Sequence, residues 1–147
     1  MKFSEFVPGQ VIDAGSACMT EEALLDFARQ WDPQPFHIDK AAAEASRWQG
    51  LIASGWHTCA IAMRLAVDNV LTDSDSVGSP GIDELRWHAP VRVGDVLNLT
   101  LHVLETRVSS SGELGIVRWR WEVATEAGVK VLTLLASSLF ALKTSAR

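Results

Sequence analysis

The sequence contains no tyrosine, two cysteines, and fewer basic than acidic side chains, 13 against 18. Cys18 and Cys59, set far apart in 147 residues, cannot form the disulfide framework that staples small secreted domains. Cys59 stands in a strongly apolar stretch, where a thiol behaves as a small hydrophobe. No CxxC or HExxH occurs, so the usual spacings of a dedicated metal site are missing. The formal net charge of -5 disfavours general affinity for nucleic acid, which needs basic surface to neutralise phosphates. A local basic patch for a phosphorylated ligand stays open. MKFSEFVPGQ places charge and Pro8-Gly9 where a signal peptide needs an apolar run, and no apolar stretch is long enough to cross a bilayer. A cytosolic protein with no nucleic-acid and no membrane partner is expected.

Hydrophobic residues make up 48% and charged residues 21% of the chain, enough for a real core. Residues 1–147 are expected to form a single domain. A short strand is expected around Val11 and Ile12. Thr20 then caps a helix with Glu21 and Glu22 in its first turn, running through Gln30. Pro33 and Pro35 end it, so Asp32 to His37 reads as a stiff, non-helical loop. Asp39 can cap a second helix, Lys40 to Ser46. After a loop from Gly50 to Gly55, WHTCAIAMRLAVDNVL predicts a helix from Trp56 to about Leu71. That helix is apolar nearly all round and so is expected to be buried. Thr72 to Pro80 reads as a polar loop.

Beyond Pro80 the character changes. Gly81 to His88, Val96 to Arg107, Gly115 to Thr125 and Lys130 to Leu142 read as strands with stretches of period-two alternation. Turns fall at Ser109 to Gly112 and Glu126 to Gly128. Helices first and long antiparallel strands after make an α+β pattern, satisfied by a sheet curled around one apolar helix.

Two places carry chemistry. In Asp32-Pro33-Gln34-Pro35-Phe36-His37 a stiff segment can aim a carboxylate and an imidazole at one point, where the two can act as general base and acid on one water. Equally, Asp32 can cap a turn and His37 be a structural hydrogen-bonder, since Asp-Pro turns are common. Gly55 opens the apolar helix, whose first N–H groups are unpaired and partly positive. Glycine lets a ligand approach them, and such a site can polarise a carbonyl oxygen. The alternative for Gly55 is an ordinary, tightly packed helix start.

Taken together, WDPQPFHID, then GLIASGWHT, then LRWHAPVRVGD resembles the MaoC-like dehydratases, the (R)-specific enoyl-CoA hydratase group of the hot-dog fold. The resemblance spans nearly the whole chain. It implies an antiparallel sheet wrapped around a long central helix. The family's first motif reads Asp-any-Asn-Pro-any-His, which Asp32, Pro35 and His37 match, with Gln34 in place of Asn. The resemblance assigns Asp32 and His37 to water activation and the Gly55 N–H to the thioester oxygen. Ser54 replaces the His that often precedes that glycine, and Pro90 to Asp95 matches a structural strand-turn motif. Ser54, Gln34 and His57 join Gly55 as candidates for the oxyanion or substrate-binding region. The serine that some members carry further along the helix is replaced here by Cys59 or Met63.

The resemblance also implies syn addition of water to a 2-enoyl thioester or its reversal, with no cofactor beyond coenzyme A as part of the substrate. An acyl-CoA or acyl-carrier thioester is the expected partner, in a homodimer or higher homo-oligomer. Two rivals remain. One is a hot-dog thioesterase, whose carboxylate belongs on the central helix, where Asp68 is the candidate. The other is a non-catalytic subunit that only binds acyl thioesters. His88 could point inward, His102 is expected on the solvent face, and any of Arg86, Arg92, Arg118 and Arg120 could meet phosphates or belong to a solvated sheet face. Trp31, Trp48, Trp56 and Met63 are candidates for setting pocket depth.

Overall fold

The computed structural model describes residues 1–142. Strand β1 (Val11–Cys18) is followed by α1 (Glu21–Trp31), α2 (Pro35–Ile38), α3 (Lys40–Ala45) and α4 (Gly55–Ala66). Strands β2 (Ser76–Gly78), β3 (Ile82–Trp87), β4 (Val96–Val108), β5 (Leu114–Thr125) and β6 (Lys130–Ala141) complete the order. All strand pairings are antiparallel, in the order β1-β4-β5-β6-β2, with β3 also pairing β6.

Alternation decides which face of this sheet is the core. In β4, Leu97, Leu99, Leu101 and Val103 are buried; in β5, Val117, Trp119, Trp121 and Val123 are. Their neighbours Asn98, Thr100, His102, Arg118 and Glu122 are only half-buried and Arg120 is exposed, as the period of two requires. Ala62, Leu65 and Ala66 of α4 join these residues in one cluster. Burying each large apolar side chain contributes roughly 1.5–3 kcal/mol, so the sheet's inner face and α4 hold one another in place. An antiparallel sheet around a central helix is the hot-dog arrangement.

Three local features differ from expectation. The N-terminal strand runs over Val11–Cys18, longer than its two branched residues suggest, because a register shift between Asp13 and Ser16 lets it continue along β4. Gly15 sits there at φ +89, a conformation that other residues adopt only at a cost. The polar loop after residue 71 yields a short strand, β2, against β6. The third is the central helix. It does reach Leu71, through a π-turn over Val67–Leu71, but it is not buried all round. Trp56 is 58% exposed, Met63 50% and Val67 40%. Recurring at helical spacing, they form an uncovered apolar stripe.

Candidate active site

Asp32 ends α1. Its backbone N–H still donates to Ala28 O at 2.8 Å, and Pro33 then prevents another turn. The next residues are not the loop expected from the sequence, because Pro35 is the first residue of the single helical turn α2. A proline at that position has the right φ, and its missing N–H has no helical partner to lose. The turn carries His37, which is 5% exposed. Its Nδ1 lies 2.6 Å from Ile52 O. A carbonyl can only accept, so Nδ1 carries the hydrogen and Nε2 is the nitrogen free for chemistry. Nε2 lies 3.3 Å from Asp32 Oδ2.

Both oxygens of Asp32 are held. Gln34 Nε2 donates to Oδ1 at 2.8 Å and Ser54 Oγ donates to Oδ2 at 2.7 Å. Burial pushes the Asp32 carboxyl up, but the Gln34 and Ser54 hydrogen bonds and the nearby His37 outweigh it and hold it below the ordinary carboxylate value. Asp32 is therefore an anion at neutral pH, its position fixed from two sides.

Ser54 is the N-cap of α4, yet its side chain makes no capping bond. Its carbonyl accepts from His57 N at 3.0 Å and Thr58 N at 3.3 Å. The N–H groups of Gly55 and Trp56 have no acceptor among the described residues. Trp87 lies against Gly55 so closely that a Cβ there would stand 2.5 Å from the indole. A cavity of about 400 Å³ is lined by Asp32, Gln34, His37 and Gly55, with Trp48, Trp56 and Trp87 among its walls. The carboxylate, the imidazole and the N-terminal end of α4 thus share one space.

Two expected site residues do not line that cavity. Ser54 is fully buried behind it and reaches the chemistry only through Asp32. His57 lies two residues past Gly55, about 200° round the helix. Its ring stacks on Phe27 of α1, 4.6 Å between centroids, and its Nδ1 has no partner. Burial pushes the His57 imidazole below its ordinary value. Trp31 and Met63 are exposed away from the cavity. Asp68 is paired with Arg64 at 2.8 Å at the far end of α4 and is out of reach.

Ile52 and Thr58 were not legible as site residues, whereas His88 was read as able to point inward. Ile52 acts through its backbone carbonyl, which leaves no trace in a side-chain pattern. His88 lines the cavity with Nε2 2.7 Å from Thr133 Oγ1. Thr58 lines it from α4. Among the described residues, no cluster of His, Cys, Asp and Glu could hold a metal ion, and no helix is long and apolar enough to cross a membrane.

A family model described as "MaoC like domain" matches residues 4–124. The chain belongs to the MaoC-like domain family. It is 30% identical over 131 residues to the uncharacterized protein YdeM of Bacillus subtilis (strain 168), covering 89% of this chain and 92% of that one. The MaoC-like dehydratase from Rhodospirillum rubrum shares its structure with a TM-score of 0.89 at 33% identity, over 98% and 99% of the two chains. The R-hydratase PhaJ1 from Pseudomonas aeruginosa matches with a TM-score of 0.78 at 26% identity, over 99% and 92%. In this MaoC-like chain, Asp32, His37 and Gly55 line one cavity, Pro35 starts the turn that carries His37, and Gln34 keeps an amide on the carboxylate.

Proposed function

We propose that the protein is a hydro-lyase that adds water across the 2,3 double bond of an enoyl thioester, or removes it from the 3-hydroxyacyl form. The observation that carries this is Asp32 Oδ2, anchored by Ser54 and 3.3 Å from His37 Nε2, in the cavity that α4 enters with Gly55. Membership of the MaoC-like family and likeness to an R-hydratase support a reaction of the hydratase or dehydratase type.

In the forward direction Asp32 and His37 hold one water between them. Asp32 takes a proton as the water oxygen bonds to C3. The electrons of the double bond move to C2 and on to the thioester oxygen, which the Gly55 N–H stabilises. The proton that Asp32 took passes to His37 Nε2, 3.3 Å away, and from there to C2, which restores the carbonyl and returns both groups to their starting state. Both groups act from one side, so addition is syn; the likeness to an R-hydratase supports the (R)-3-hydroxyacyl thioester as the product. Hydrolysis of the thioester has no support from α4, because Asp68 lies outside the cavity.

The acyl group arrives as a coenzyme A or carrier-protein thioester, and no other cofactor takes part. The working form is a homodimer or higher homo-oligomer in the cytosol. In its support, among the described residues β3 pairs only with β6, and Ile82 and Trp87 stand 52% and 45% exposed on it. Together with the apolar stripe of α4, that edge is a surface that soluble proteins ordinarily cover.

The test is loss of the enoyl-thioester absorbance of crotonyl-CoA, followed beside free-thiol release. Loss of the band without thiol is the expected result. Thiol release would instead make the protein a thioesterase. No change in either channel, with linear or branched enoyl thioesters, would reduce it to a binding subunit.

A further inference from the structure

We infer that the hydroxyl of Thr58 is a second hydrogen-bond donor to the thioester oxygen and, with the Gly55 N–H, completes an oxyanion site of two donors; this rests on the hydratase reading above. Thr58 follows Gly55 by one helical turn on α4 and lines the same cavity. Residues so spaced share a helix face, and helical side chains lean back toward the N-terminus. The Thr58 side chain therefore lies over the turn that Gly55 begins.

The residue is 2% exposed, and Oγ1 makes no hydrogen bond among the described residues. A threonine inside a helix commonly bonds to the carbonyl four residues back. Here that carbonyl belongs to Ser54 and accepts from the backbone N–H groups of His57 and Thr58 instead. The unpartnered side-chain polar atoms fully sealed from solvent, among the described residues, are His57 Nδ1, Trp119 Nε1 and Trp121 Nε1. Thr58 Oγ1 is not one of them, and Thr58 is among the residues that line the cavity. A buried hydroxyl without a partner is unfavourable. Valine would fill the same volume without that penalty, so the free hydroxyl points to a ligand atom as its missing partner.

That atom is the thioester oxygen. Its negative charge builds as water bonds to C3 and disappears when C2 is protonated. Donors fixed in advance around it stabilise that interval selectively, most of all where water is excluded. Trp56 and Trp87, which meet edge-to-face at 5.2 Å, form an apolar part of the cavity wall beside Gly55.

The experiment compares steady-state crotonyl-CoA hydration by the wild-type protein, Thr58→Val and Thr58→Ser. Thr58→Val should lower kcat by roughly 100-fold, the order found on removing one donor from such a site, with KM changed by less than about threefold. Thr58→Ser should remain within a few-fold of wild type. If Thr58→Val does not fold, Thr58→Ala replaces it under the same expectation. A second reading uses the absorption of a 2,4-dienoyl-CoA bound to Asp32→Asn, where polarisation of the carbonyl moves the band to longer wavelength. Adding Thr58→Val should shrink that shift. Wild-type kcat and an undiminished shift in the valine variants would overturn this inference alone, as would equal losses in the valine and serine variants. A wild-type protein that hydrates no enoyl thioester would overturn the hydratase reading and this inference together.

Discussion

Ser54 donates its hydroxyl hydrogen to Oδ2 of Asp32 at 2.7 Å, although it stands at the N-cap of α4, where a serine oxygen usually accepts from the helix's own N–H groups. The side chain is thus committed to the carboxylate rather than to the helix. Ser54→Ala should lower kcat by roughly 10- to 100-fold, the equivalent of the ~1.5–3 kcal/mol of a hydrogen bond to a charged group. Ser54 helps hold the Asp32 carboxyl below its ordinary value, so the acid limb of the kcat/KM profile should also move to higher pH. A pH–rate profile measured on both proteins checks the two effects, and an unmoved acid limb would detach Ser54 from the chemistry.

Asp32→Asn and His37→Ala should each cut kcat by about 10²–10⁴-fold, the usual weight of a positioned acid or base. Their effects on stability should differ. His37→Ala leaves the Ile52 carbonyl without its 2.6 Å partner, at a cost of about 1–3 kcal/mol, whereas Asp32→Asn can keep its shape and part of its bonding. Turnover with crotonyl-CoA and thermal unfolding of the same samples read both. Near-normal turnover in both variants would remove the pair from catalysis.

His57 should make the fold sensitive to mild acid. Burial places its imidazole below the ordinary value in the folded state, so the unfolded chain binds a proton first as pH falls. Stability should therefore be highest above the unfolded value of about 6.5 and decline as pH drops through it toward the folded value. Urea midpoints measured between pH 7.5 and pH 5 (roughly one unit above that value to well below it) would show the slope. In His57→Leu the share of that slope due to this ring should vanish while hydratase activity survives, since the ring does not line the cavity.

Gly55→Ala places a methyl where the Trp87 indole now lies, 2.5 Å from its nearest atom. Overpacking of this kind costs about 1–3 kcal/mol. Trp87→Ala in the same chain should recover a good part of it. Chemical unfolding of the two single variants and the double variant gives the coupling, and simple additivity would mean that the two residues are not in contact.

Met63→Glu puts a charge in the middle of the uncovered stripe of α4. If that stripe joins two copies of the chain, sedimentation velocity should show an assembled wild type and a variant shifted to monomer at equal concentration. An assembled variant would mean that the copies meet elsewhere.

Much of this was legible in the sequence, for identifiable reasons. Leu97 to Val103 and Val117 to Val123 announce their strands because alternation is the direct imprint of a one-sided core. Asp32, His37 and Gly55 could be named because side-chain chemistry and spacing are what a motif records. Trp56, Met63 and Val67 misled because apolar residues look alike whether they face a core or stand uncovered. The α2 turn hid because Pro35 serves a helix start as well as a loop. Ser54 could be chosen as a site residue but not given its partner, since its distance from Asp32 along the chain says nothing of their contact. The Ile52 carbonyl was out of reach altogether, because every residue has one.

The short run from Ile52 to Gly55 behaves like a ruler. Ile52 bridges Arg92 in antiparallel fashion, and Ala53 N–H donates to Val91 O at 2.8 Å, which fixes the run as an extended segment. From that footing Ile52 grips the imidazole, Ser54 grips the carboxylate and Gly55 begins α4. A shift of one residue in an extended segment exchanges its two faces. Inserting or deleting a single residue here would therefore misplace the three functions together, so that the spacing of these few peptides is a heritable measure of the whole site, less tolerant of length change than of most side-chain replacements within it.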